Sequence, residues 1–497
     1  MPPGITRLNP IRTVPKFYPY LSLIILALLL SGCYGLLPSK GGGQLSYSPT
    51  QRTADPADVL LPEGYSVEVV TEGLTFPTAV AFDDAGTPYV IEAGYAYGEV
   101  FLQPKLFRIA PDGDTTLVYA GERNGPWNGI AFADGYFYIS EGGQMEGGRI
   151  LKVSPQGEAE ALVEDLPGYG DHHTNGPVVH DGYVYFGQGT ATNTAVVGTD
   201  NADYGWLERF PDFHDIPCAD ITLRGRNFTT DNVLTDVRGD EAVTGPYSPY
   251  GQAVRDGQVI PGEVPCSGAI MRVPVDGGDP ELVAWGFRNP YGLSLAPDGQ
   301  LYVSDNMYDV RGSRPAWGTG DLLWRVDEGS WYGWPDYYTG IPLESLEFPG
   351  RNDPQRILAK DPGEPQRAVA KFGVHSSASG FDFSTSETFG FAGQAFVAEF
   401  GDMAPTVGKA LAPVGYRVVR VDTESGVVED FVLNRSPKNG PATKVRSGGL
   451  ERPISVSFDP TGESLYLVDF GIVTIDKKEG PTPRQGTGVV WKITKTR

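Results

Sequence analysis

The sequence predicts an all-β fold, a six-bladed β-propeller, and the main observation behind this prediction is a hairpin that occurs six times along the chain. Each copy has a Gly or another small residue, an apolar strand, a tight turn such as Asp-Gly, and a second strand rich in Leu, Val and Tyr. Strand-like runs such as 148–153 and 417–421 lie between the hairpins, so each repeat has material for about four strands, the content of one blade. The hairpins begin at Pro77, Asn128, Asn175, Pro290, Ser379 and Pro453.

Length and composition favour one large β domain. The chain has 497 residues, is 40% hydrophobic and contains 65 Gly and 42 Pro, which is typical of a globular, turn-rich protein. We assign residues 58–497 to the propeller, with an insertion around 200–266. Residues 1–32 are assigned to a leader and 33–57 to a flexible tether.

The leader has the pattern of a lipoprotein signal peptide. Arg7, Arg12 and Lys16 precede the apolar run 21–30, which is too short for a bilayer that needs about 20 apolar residues. The run ends in Leu-Ser-Gly-Cys33, which resembles the bacterial lipobox and implies cleavage before Cys33 and lipid attachment to it. This predicts a protein of the bacterial cell envelope, anchored by lipid on the periplasmic or extracellular face.

Cysteine usage agrees with export. The chain has three Cys, and lipid attachment to Cys33 leaves Cys218 and Cys266 as a pair. We predict a disulfide between them, since thiols pair outside the cytosol. It would close a loop of about 49 residues and contribute roughly 4 kcal/mol in the chain-entropy account.

The formal net charge of −23 at pH 7 limits the partners of this protein. An acidic body is poorly suited to nucleic acid or anionic lipid surfaces, so we expect neither. A bound anion would need local cations to overcome the general field. The candidate cations are Arg288, Arg452, Lys409 and the pair Arg311 and Arg314.

The repeat also predicts where the site lies. Residues just before the first strand and just after the second strand of each hairpin meet at one mouth of the central channel, and chemically different polar groups stand there, as a site requires. The alternative for each is a solvated loop residue. The first set is Trp127, His172, Arg288, His375 and Arg452. The second set is Glu92, Glu141, Gln188, Asp305, Glu399 and Asp469.

Four segments at these positions carry a family resemblance. They are 170–176 (Gly-Asp-His-His-Thr-Asn-Gly), 284–292 with its Gly-x-Arg-Asn-Pro-x-Gly motif, 331–335 (Trp-Tyr-Gly-Trp-Pro) and 452–453 (Arg-Pro). Through them the sequence resembles the soluble quinoprotein glucose/sorbosone dehydrogenase family, which also includes pyranose dehydrogenases. With the repeats around them, the resemblance covers about residues 61–494.

The resemblance implies an enzyme that oxidises a sugar, an aldose or pyranose or a sorbosone-like compound, with pyrroloquinoline quinone (PQQ) and calcium as cofactors. It implies that His172 takes the hydroxyl proton while hydride passes to the quinone. An imidazole with an ordinary pKa of about 6.5 is suited to this role at neutral pH. The neighbouring His173 is the alternative base, and a surface loop histidine is the alternative role for His172.

The resemblance also implies how the quinone is held. Arg288 would stabilise charge on the quinone oxygen, unless it serves a salt bridge to the acidic ring. Asn289 would support the same oxygen or a carboxylate, and His375 would contact cofactor or substrate. Arg452 and Lys409 would pair with the PQQ carboxylates, and the alternative for both is a solvated surface cation.

The chain departs from the family at the calcium site. Familiar members offer carbonyls from a Gly-Pro pair just after the second strand of the fourth repeat, whereas this chain has Ser-Asp-Asn-Met-Tyr at 304–308. Calcium takes oxygen ligands, so we predict Asp305 and Asn306 as its ligands.

Two other functions stay open. A calcium-dependent lactonase or esterase would use the acidic ring but leaves Arg288 and Arg452 without a role, and a non-catalytic, lipid-anchored binding propeller would bind no quinone. The chain has no Cys-x-x-Cys-His haem motif, and its five His form no zinc-like cluster with Cys. A dehydrogenase of this kind therefore passes electrons to an external acceptor, a cytochrome or a quinone.

Overall fold

The computed structural model describes residues 51–316, 318–345, 355–476 and 480–496. Over these residues the chain is nearly all β, and six small antiparallel sheets form a six-bladed propeller, as predicted. The signal peptide, Cys33 and the first part of the tether lie outside the described residues. In the part that is described, no helix has the length and apolar character to cross a membrane.

Each blade is a sheet of four or five strands, numbered here from the inner to the outer strand. Blade 1 consists of Pro77–Phe82, Pro88–Glu92, Lys105–Ile109 and Thr115–Ala120. Blade 2 consists of Trp127–Ala133, Tyr136–Glu141, Gly148–Val153 and Ala159–Leu166. Blade 3 consists of Thr174–His180, Tyr183–Gln188, Ala269–Pro274 and Glu281–Trp285. Blade 4 consists of Pro290–Leu295, Leu301–Asp305, Leu322–Arg325 and Ala370–Lys371. Blade 5 consists of Ala378–Phe383, Ala395–Glu399, Arg417–Asp422, Val427–Asn434 and Val59–Leu60. Blade 6 consists of Pro453–Phe458, Ser464–Asp469, Gly488–Lys495 and Tyr65–Leu74.

Short elements decorate the loops between these strands. The two-stranded hairpins are Tyr95–Ala96 with Val100–Phe101, Ile221–Arg224 with Asp256–Ile260, Phe228–Asp231 with Glu241–Thr244, Tyr337–Tyr338 with Ile341–Pro342, and Val473–Asp476 with Gly480–Pro483. The helices are the 3₁₀ turn Pro56–Asp58 and the short α-helices Thr199–Asp203, Trp206–Arg209 and Ala442–Val445.

The inner strands form a closed ring. Each contacts the inner strand of the next blade, and the inner strand of blade 6 contacts that of blade 1. The ring is locked by the N-terminal strand Tyr65–Leu74, which pairs antiparallel with Gly488–Lys495 and becomes the outer strand of blade 6. Val59–Leu60 extends blade 5 by pairing with Val427–Asn434. One N-terminal segment therefore holds the last two blades.

Burial explains why these segments are strands. The second strands Ala395–Glu399 and Ser464–Asp469 are buried at every position, because both faces of a strand in the middle of a blade pack against the neighbouring blades. The outer strand Thr115–Ala120 is exposed over its first half. The tight turns that the sequence indicates are present, and Asp134 and Gly135 both have positive φ (52° and 80°), as a two-residue hairpin turn requires.

A bulge interrupts the first hairpin of every blade at the same end. The pairing shifts near the start of the inner strand, as between Pro77 and Ala79 in blade 1 and between Pro290 and Gly292 in blade 4. Blades 2, 3, 5 and 6 carry the same irregularity. A bulge redirects side chains and leaves backbone N–H groups without a ladder partner, so one end of the propeller differs from the other.

The long insertion that the sequence predicts around 200–266 lies within blade 3, between its second and third strands. Residues 189–268 connect the second strand of this blade to its third, Ala269–Pro274. The insertion has hairpins of its own, so its sequence pattern resembles blade strands. The predicted disulfide between Cys218 and Cys266 is present. It ties the insertion to the residues that lead back into the blade.

Candidate active site at the mouth of the propeller

A cavity of about 930 Å³, including its mouth, lies at the end of the propeller that carries the bulges. His172, Arg288 and His375 reach it from the loops that precede the inner strands of blades 3, 4 and 5. A second cavity of about 630 Å³ adjoins it and runs along the axis. It is lined by one residue from each inner strand, Thr78, Asn128, Asn175, Tyr291, Ser379 and Ile454.

The acidic groups at the ends of the second strands do not line either cavity. Asp305 accepts hydrogen bonds from the backbone N–H groups of Arg288 (3.2 Å) and Asn289 (2.7 Å). Its other oxygen accepts from the Trp324 indole (3.2 Å). Asp469 accepts from the two residues before the inner strand of blade 6 in the same way. Asp305 and Asp469 therefore satisfy backbone N–H groups beside the bulges, which is a structural role. Glu141 and Glu399 accept instead from the Trp127 indole and the Arg417 guanidinium.

His172 is held with one ring nitrogen toward the protein and the other toward the cavity. Its Nδ1 lies 2.9 Å from the Thr190 carbonyl oxygen, so Nδ1 carries the proton and donates it there. Among the described residues Nε2 has no hydrogen-bond partner. Burial, followed by the charges of Arg288 and Arg311, lowers the pKa of His172 well below its ordinary value. At neutral pH the ring is neutral, with an accessible lone pair.

His173 is equally buried but both of its ring nitrogens are occupied. Nδ1 donates to the Gly168 carbonyl (3.1 Å), and Nε2 accepts from the Gln144 amide (2.9 Å). Burial lowers the pKa of His173 to about 4. Its lone pair is thus not available to a ligand, which distinguishes the two adjacent histidines.

The local backbone explains why His172 and Arg288 lie side by side. The backbone N–H of His172 donates to the carbonyl of Thr190 (3.2 Å), and that of Thr190 donates to the carbonyl of Arg288 (2.9 Å). Segments 171–173, 189–191 and 288 thus form a small extension of blades 3 and 4 beyond the bulges. The Gly-Asp-His-His segment and the Gly-x-Arg-Asn-Pro motif meet there.

Arg288 is a fixed cation in the cavity wall. Only 2% of the residue is exposed, and its Nε donates to the Asn193 side-chain oxygen (3.1 Å). One terminal nitrogen donates to the Asn306 carbonyl (2.9 Å), and the other to the Asp309 carboxylate (2.8 Å). Each terminal nitrogen of a guanidinium has two N–H groups, so each keeps one for a ligand.

Asp309 is surrounded by positive or proton-donating groups. Its carboxylate lies 2.8 Å from Arg288, 3.1 Å from Arg311 and 3.7 Å from His375. Burial acts to raise the pKa of Asp309, but the charge of Arg288 and the other two groups hold it below its ordinary value. Burial acts to lower the pKa of His375, but the carboxylates of Asp309, Asp321 and Asp402 together raise it above its ordinary value. His375 has φ 64°, a backbone conformation that is strained for a side chain of this kind.

A chain of asparagine amides crosses the floor between the two cavities. Asn128 donates to the Asn175 oxygen (2.8 Å), and Asn175 donates to the Asn289 oxygen (2.9 Å). Asn289 donates to Asn306 (3.0 Å), and Asn306 to the Ala378 carbonyl (2.6 Å). The chain connects blades 2, 3, 4 and 5. It fixes Asn289 and Asn306, both predicted site residues, within the cavity lining.

The upper wall of the cavity is aromatic. Its rings come from the small hairpin within blade 1, from the insertion, and from the loops after the second strands of blades 4 and 5. They are Tyr95, Tyr97, Tyr204, Trp206, Tyr308 and Phe400. Tyr97 is 42% exposed at the mouth. Aromatic faces of this kind suit a planar ring or the apolar face of a sugar.

Two predicted cofactor ligands lie away from the cavity. Arg452 is fully buried, donates to the carbonyls of Gly401 (3.1 Å) and Val473 (3.2 Å), and stacks on the rings of Phe400 and Tyr416. Its carbonyl partners and its burial make it a structural cation that joins blades 5 and 6.

Lys409 does not line the cavity either. It is exposed, on the same loop as the cavity residues Thr406 and Val407. Its side chain is therefore not part of the cavity lining, although the adjacent Gly408 lies close to His375.

The predicted calcium ligands are already engaged. Asp305 is bound by backbone N–H groups, and the Asn306 carbonyl and side-chain oxygens accept from Arg288 and Asn289. The described residues contain no group of three or more His, Cys, Asp or Glu side chains arranged to hold a metal. Calcium does not fit Asp305 and Asn306 as they stand.

Three residues of the site were missed in the sequence. Asn193 accepts from Arg288 and donates to the carbonyls of Asp309 (2.8 Å) and Arg311 (3.1 Å), so it joins the insertion to blade 4. Thr190 fixes the proton of His172. Asn193, Asp309 and Thr190 follow second strands at distances that vary with loop length, so the repeat pattern carried no signal for them. In the sequence, Arg311 and Arg314 were noted only as candidate cations.

Comparisons with known proteins place the fold. No model of a known protein family matches the chain, and no curated protein matches it by sequence. Among solved structures, the iodide structure of a family AA12 carbohydrate-active enzyme from Trichoderma reesei is 15% identical, with 90% of this chain and 100% of that chain covered and a TM-score of 0.54. Its calcium structure is 16% identical over 90% and 99%, with a TM-score of 0.52.

A further similar structure is the holo form of the pyranose dehydrogenase PQQ domain from Coprinopsis cinerea. It is 14% identical, with 90% of this chain and 99% of that chain covered and a TM-score of 0.50. At these identities the likeness shows the fold. The likeness extends over nearly the whole length of these proteins.

Proposed function

We propose that this protein is a PQQ-dependent dehydrogenase that oxidises a sugar at a CH–OH group. The observation that carries the proposal is His172, a neutral imidazole whose unpartnered Nε2 faces a cavity beside a fixed guanidinium. A base and a cation in one water-restricted site are what proton removal and charge stabilisation need. The fold, shared with a pyranose dehydrogenase PQQ domain, supports the same conclusion.

The cavity residues fit a planar quinone that carries carboxylates. Arg288 keeps an N–H on each terminal nitrogen for a ligand, and aromatic rings line the same cavity. Arg288, His375 and Asn289 would hold the quinone. Lys409, on an exposed loop, would contribute only if that loop folds inward.

His172 then performs the proton step. When bound, PQQ supplies an acceptor for the hydride that leaves the sugar carbon. The hydroxyl proton of the sugar goes to Nε2 of His172, because Nδ1 keeps its own proton in the bond to the Thr190 carbonyl. Arg288 stabilises negative charge that develops beside it, and its rigid contacts with Asn193 and Asn306 hold it in place. The imidazolium afterwards releases its proton readily, because its pKa is low.

Unlike PQQ, calcium is assigned no role in the proposed reaction. The oxygens of Asp305 and Asn306 are spent on internal donors, and two guanidinium groups stand nearby. We therefore assign no step to calcium. Whether PQQ binding needs a divalent cation is an outcome of the titration below.

A PQQ titration of the purified protein tests the proposal. Quinone absorbance and thermal unfolding are followed with and without calcium, and a dye-reduction screen over aldoses and other polyols follows. The expected result is a saturable spectral change, a raised melting temperature and sugar-dependent dye reduction. Unchanged absorbance and melting temperature in both conditions would favour a non-catalytic binding propeller. Lactone hydrolysis that requires calcium but not PQQ would favour the lactonase.

We further propose that the enzyme is lipid-anchored at Cys33 on the periplasmic or extracellular face of the bacterial cell envelope, where it passes electrons to a cytochrome or a quinone. The leader sequence supports this part of the proposal. Expression with labelled fatty acid should label the wild type and leave a Cys33→Ala variant unlabelled. Equal labelling of both proteins would contradict the anchor.

A further inference from the structure

Three side chains converge on one carboxylate inside the cavity. Asp309 Oδ2 accepts from Arg288 Nη2 at 2.8 Å and from Arg311 Nε at 3.1 Å, and Oδ1 lies 3.7 Å from His375 Nδ1. Arg288 precedes blade 4 and His375 precedes blade 5, so separate parts of the propeller meet at this carboxylate. Asp309 is 14% exposed by side chain and belongs to the cavity lining, so a ligand can reach it.

The backbone of Asp309 is fixed independently of its carboxylate. Its N–H donates to the Asn193 side-chain oxygen (3.0 Å), and its carbonyl accepts from the Asn193 amide (2.8 Å). A rotation of the side chain therefore moves the carboxylate away from the three donors without unfolding the loop. Rotamer changes of this kind are common when a ligand binds.

Charge makes this carboxylate an obstacle to an anion. Arg311 also pairs with Asp171 and Asp200, both at 2.7 Å. With the Asp309 carboxylate in place, two guanidinium groups, those of Arg288 and Arg311, face three carboxylates. These are the carboxylates of Asp309, Asp171 and Asp200. Among the described residues, Arg288 and His375 have no ion pair except the one with Asp309. If its carboxylate leaves, their N–H groups are free for another one.

We propose that Asp309 is an internal stand-in for a ligand carboxylate, and that it masks an anion site formed by Arg288, Arg311 and His375. A ligand with several carboxylates binds by displacing it. The natural ligand, a carboxylate of PQQ, rests on the proposed function. The masking itself requires only carboxylate chemistry, since planar guanidinium donors match any carboxylate. In the empty site the mask keeps the charges of Arg288 and Arg311 paired.

Binding of a redox-inactive planar probe tests the mask. Benzene-1,3,5-tricarboxylate is titrated calorimetrically into the apo-protein at pH 8, where Asp200, with its pKa raised to about 6, is ionised. Asp309→Asn removes the mask, and Asp200→Asn is the matched control because it removes the same charge from the other side of Arg311. We expect Asp309→Asn to bind the probe at least about tenfold more tightly than the wild type, and Asp200→Asn to change affinity by less than about threefold. Equal effects of the two variants, or no gain in Asp309→Asn, would overturn the proposal.

A crystal structure of the wild type with the probe gives a second readout that needs no variant. A carboxylate of the probe should lie on Arg288 and His375, with the Asp309 carboxylate turned away from Arg288. A bound probe with the Asp309–Arg288 ion pair intact, or absence of binding to every form of the protein, contradicts the mask. The same titrations with PQQ separate the two proposals: binding of the tricarboxylate but not of PQQ to Asp309→Asn leaves the mask standing and rejects the quinone.

Discussion

His172 and His173 are adjacent and both buried, yet only one has a lone pair that faces the cavity. The difference lies at Nε2: that of His172 faces the cavity, whereas that of His173 accepts a hydrogen bond from the Gln144 amide. The family resemblance implied His172 as the base with His173 as the alternative, and this assignment stays a prediction. The sequence could not show the Gln144 contact, since that depends on how a loop of blade 2 packs against blade 3.

The repeat pattern predicts where site residues lie along the strands, but not which way their side chains point. The repeat placed the ends of the second strands and the starts of the inner strands at one mouth, and the structure agrees. It did not show the direction of each side chain. Asp305 turns toward backbone N–H groups, and Arg452 toward carbonyls, because a bulge leaves such groups without ladder partners.

The low pKa of His172 predicts the acid limb of the activity. The protein loses its base as pH falls through this pKa, so kcat/KM with sugar should stay level from pH 8 to neutral and fall only at an inflection below about 6.5. Arg288 contributes to the lowered pKa through its charge. In Arg288→Gln the inflection should therefore move up toward the ordinary value, besides any loss of rate. The pH profile of residual activity measures it.

Arg272→Gln is the control for this profile. Arg272 pairs with Glu281 and Glu328 on the outside of blade 3 and lines neither of the two cavities described above. Its replacement should leave the inflection where it is. An inflection of the wild type above pH 7, or an equal displacement in both variants, would show that His172 is not the titrating base.

At the scale of the element, the insertion in blade 3 does more for the site than any blade strand. Asp215 accepts from the Ala191 N–H (2.7 Å) and from the Thr192 hydroxyl (2.5 Å), and this loop fixes His172 through Thr190. The disulfide lies three residues beyond Asp215. The presence of the insertion was predictable from its length, whereas its place inside a blade was not, because its hairpins have the same alternation as blade strands.

Removal of the disulfide should therefore affect both stability and turnover. In the double variant Cys218→Ser/Cys266→Ser we expect the free energy of unfolding to fall by as much as about 4 kcal/mol, because the unfolded chain regains the freedom of the loop. We also expect kcat to fall more than KM rises, because Thr190 loses its anchorage. Urea unfolding and steady-state kinetics measure the two effects.

Leu234→Ala tests whether the effect is specific. Leu234 is 54% exposed on a hairpin of the same insertion and is far in sequence from the disulfide. It should leave both quantities unchanged. Unaltered kcat in the double cysteine variant would show that the insertion holds the site without the disulfide.

At the scale of the whole molecule, the closed ring is what brings segments of all six blades to one cavity. The number of blades followed from the number of hairpins, because six repeats with about four strands each leave one arrangement that removes sheet edges. The sequence did not show that the strand Tyr65–Leu74 completes blade 6. It lies more than 400 residues from its partner Gly488–Lys495, and register between such distant strands is set only when the ring closes.

Closure predicts the effect of an N-terminal truncation. A chain that begins at residue 75 lacks the outer strand of blade 6 and exposes the edge of Gly488–Lys495, including the buried Trp491. We expect a much lower midpoint of urea unfolding and aggregation through the open edge. A chain that begins at residue 51 is the control and should unfold like the mature protein. Equal midpoints for the two truncations would mean that the ring closes without this strand.

The central claim is that His172 removes the sugar proton in a PQQ-loaded site, and single-turnover reduction of the bound quinone tests it most directly. The protein is loaded with PQQ, mixed rapidly with an active sugar, and followed by quinone absorbance. His172→Ala should slow the reduction by about 10² to 10⁴ with PQQ affinity nearly unchanged, while His173→Ala should slow it far less, because its lone pair is already bound to Gln144. Equal rates for wild type and His172→Ala, or a larger loss in His173→Ala, would contradict the account.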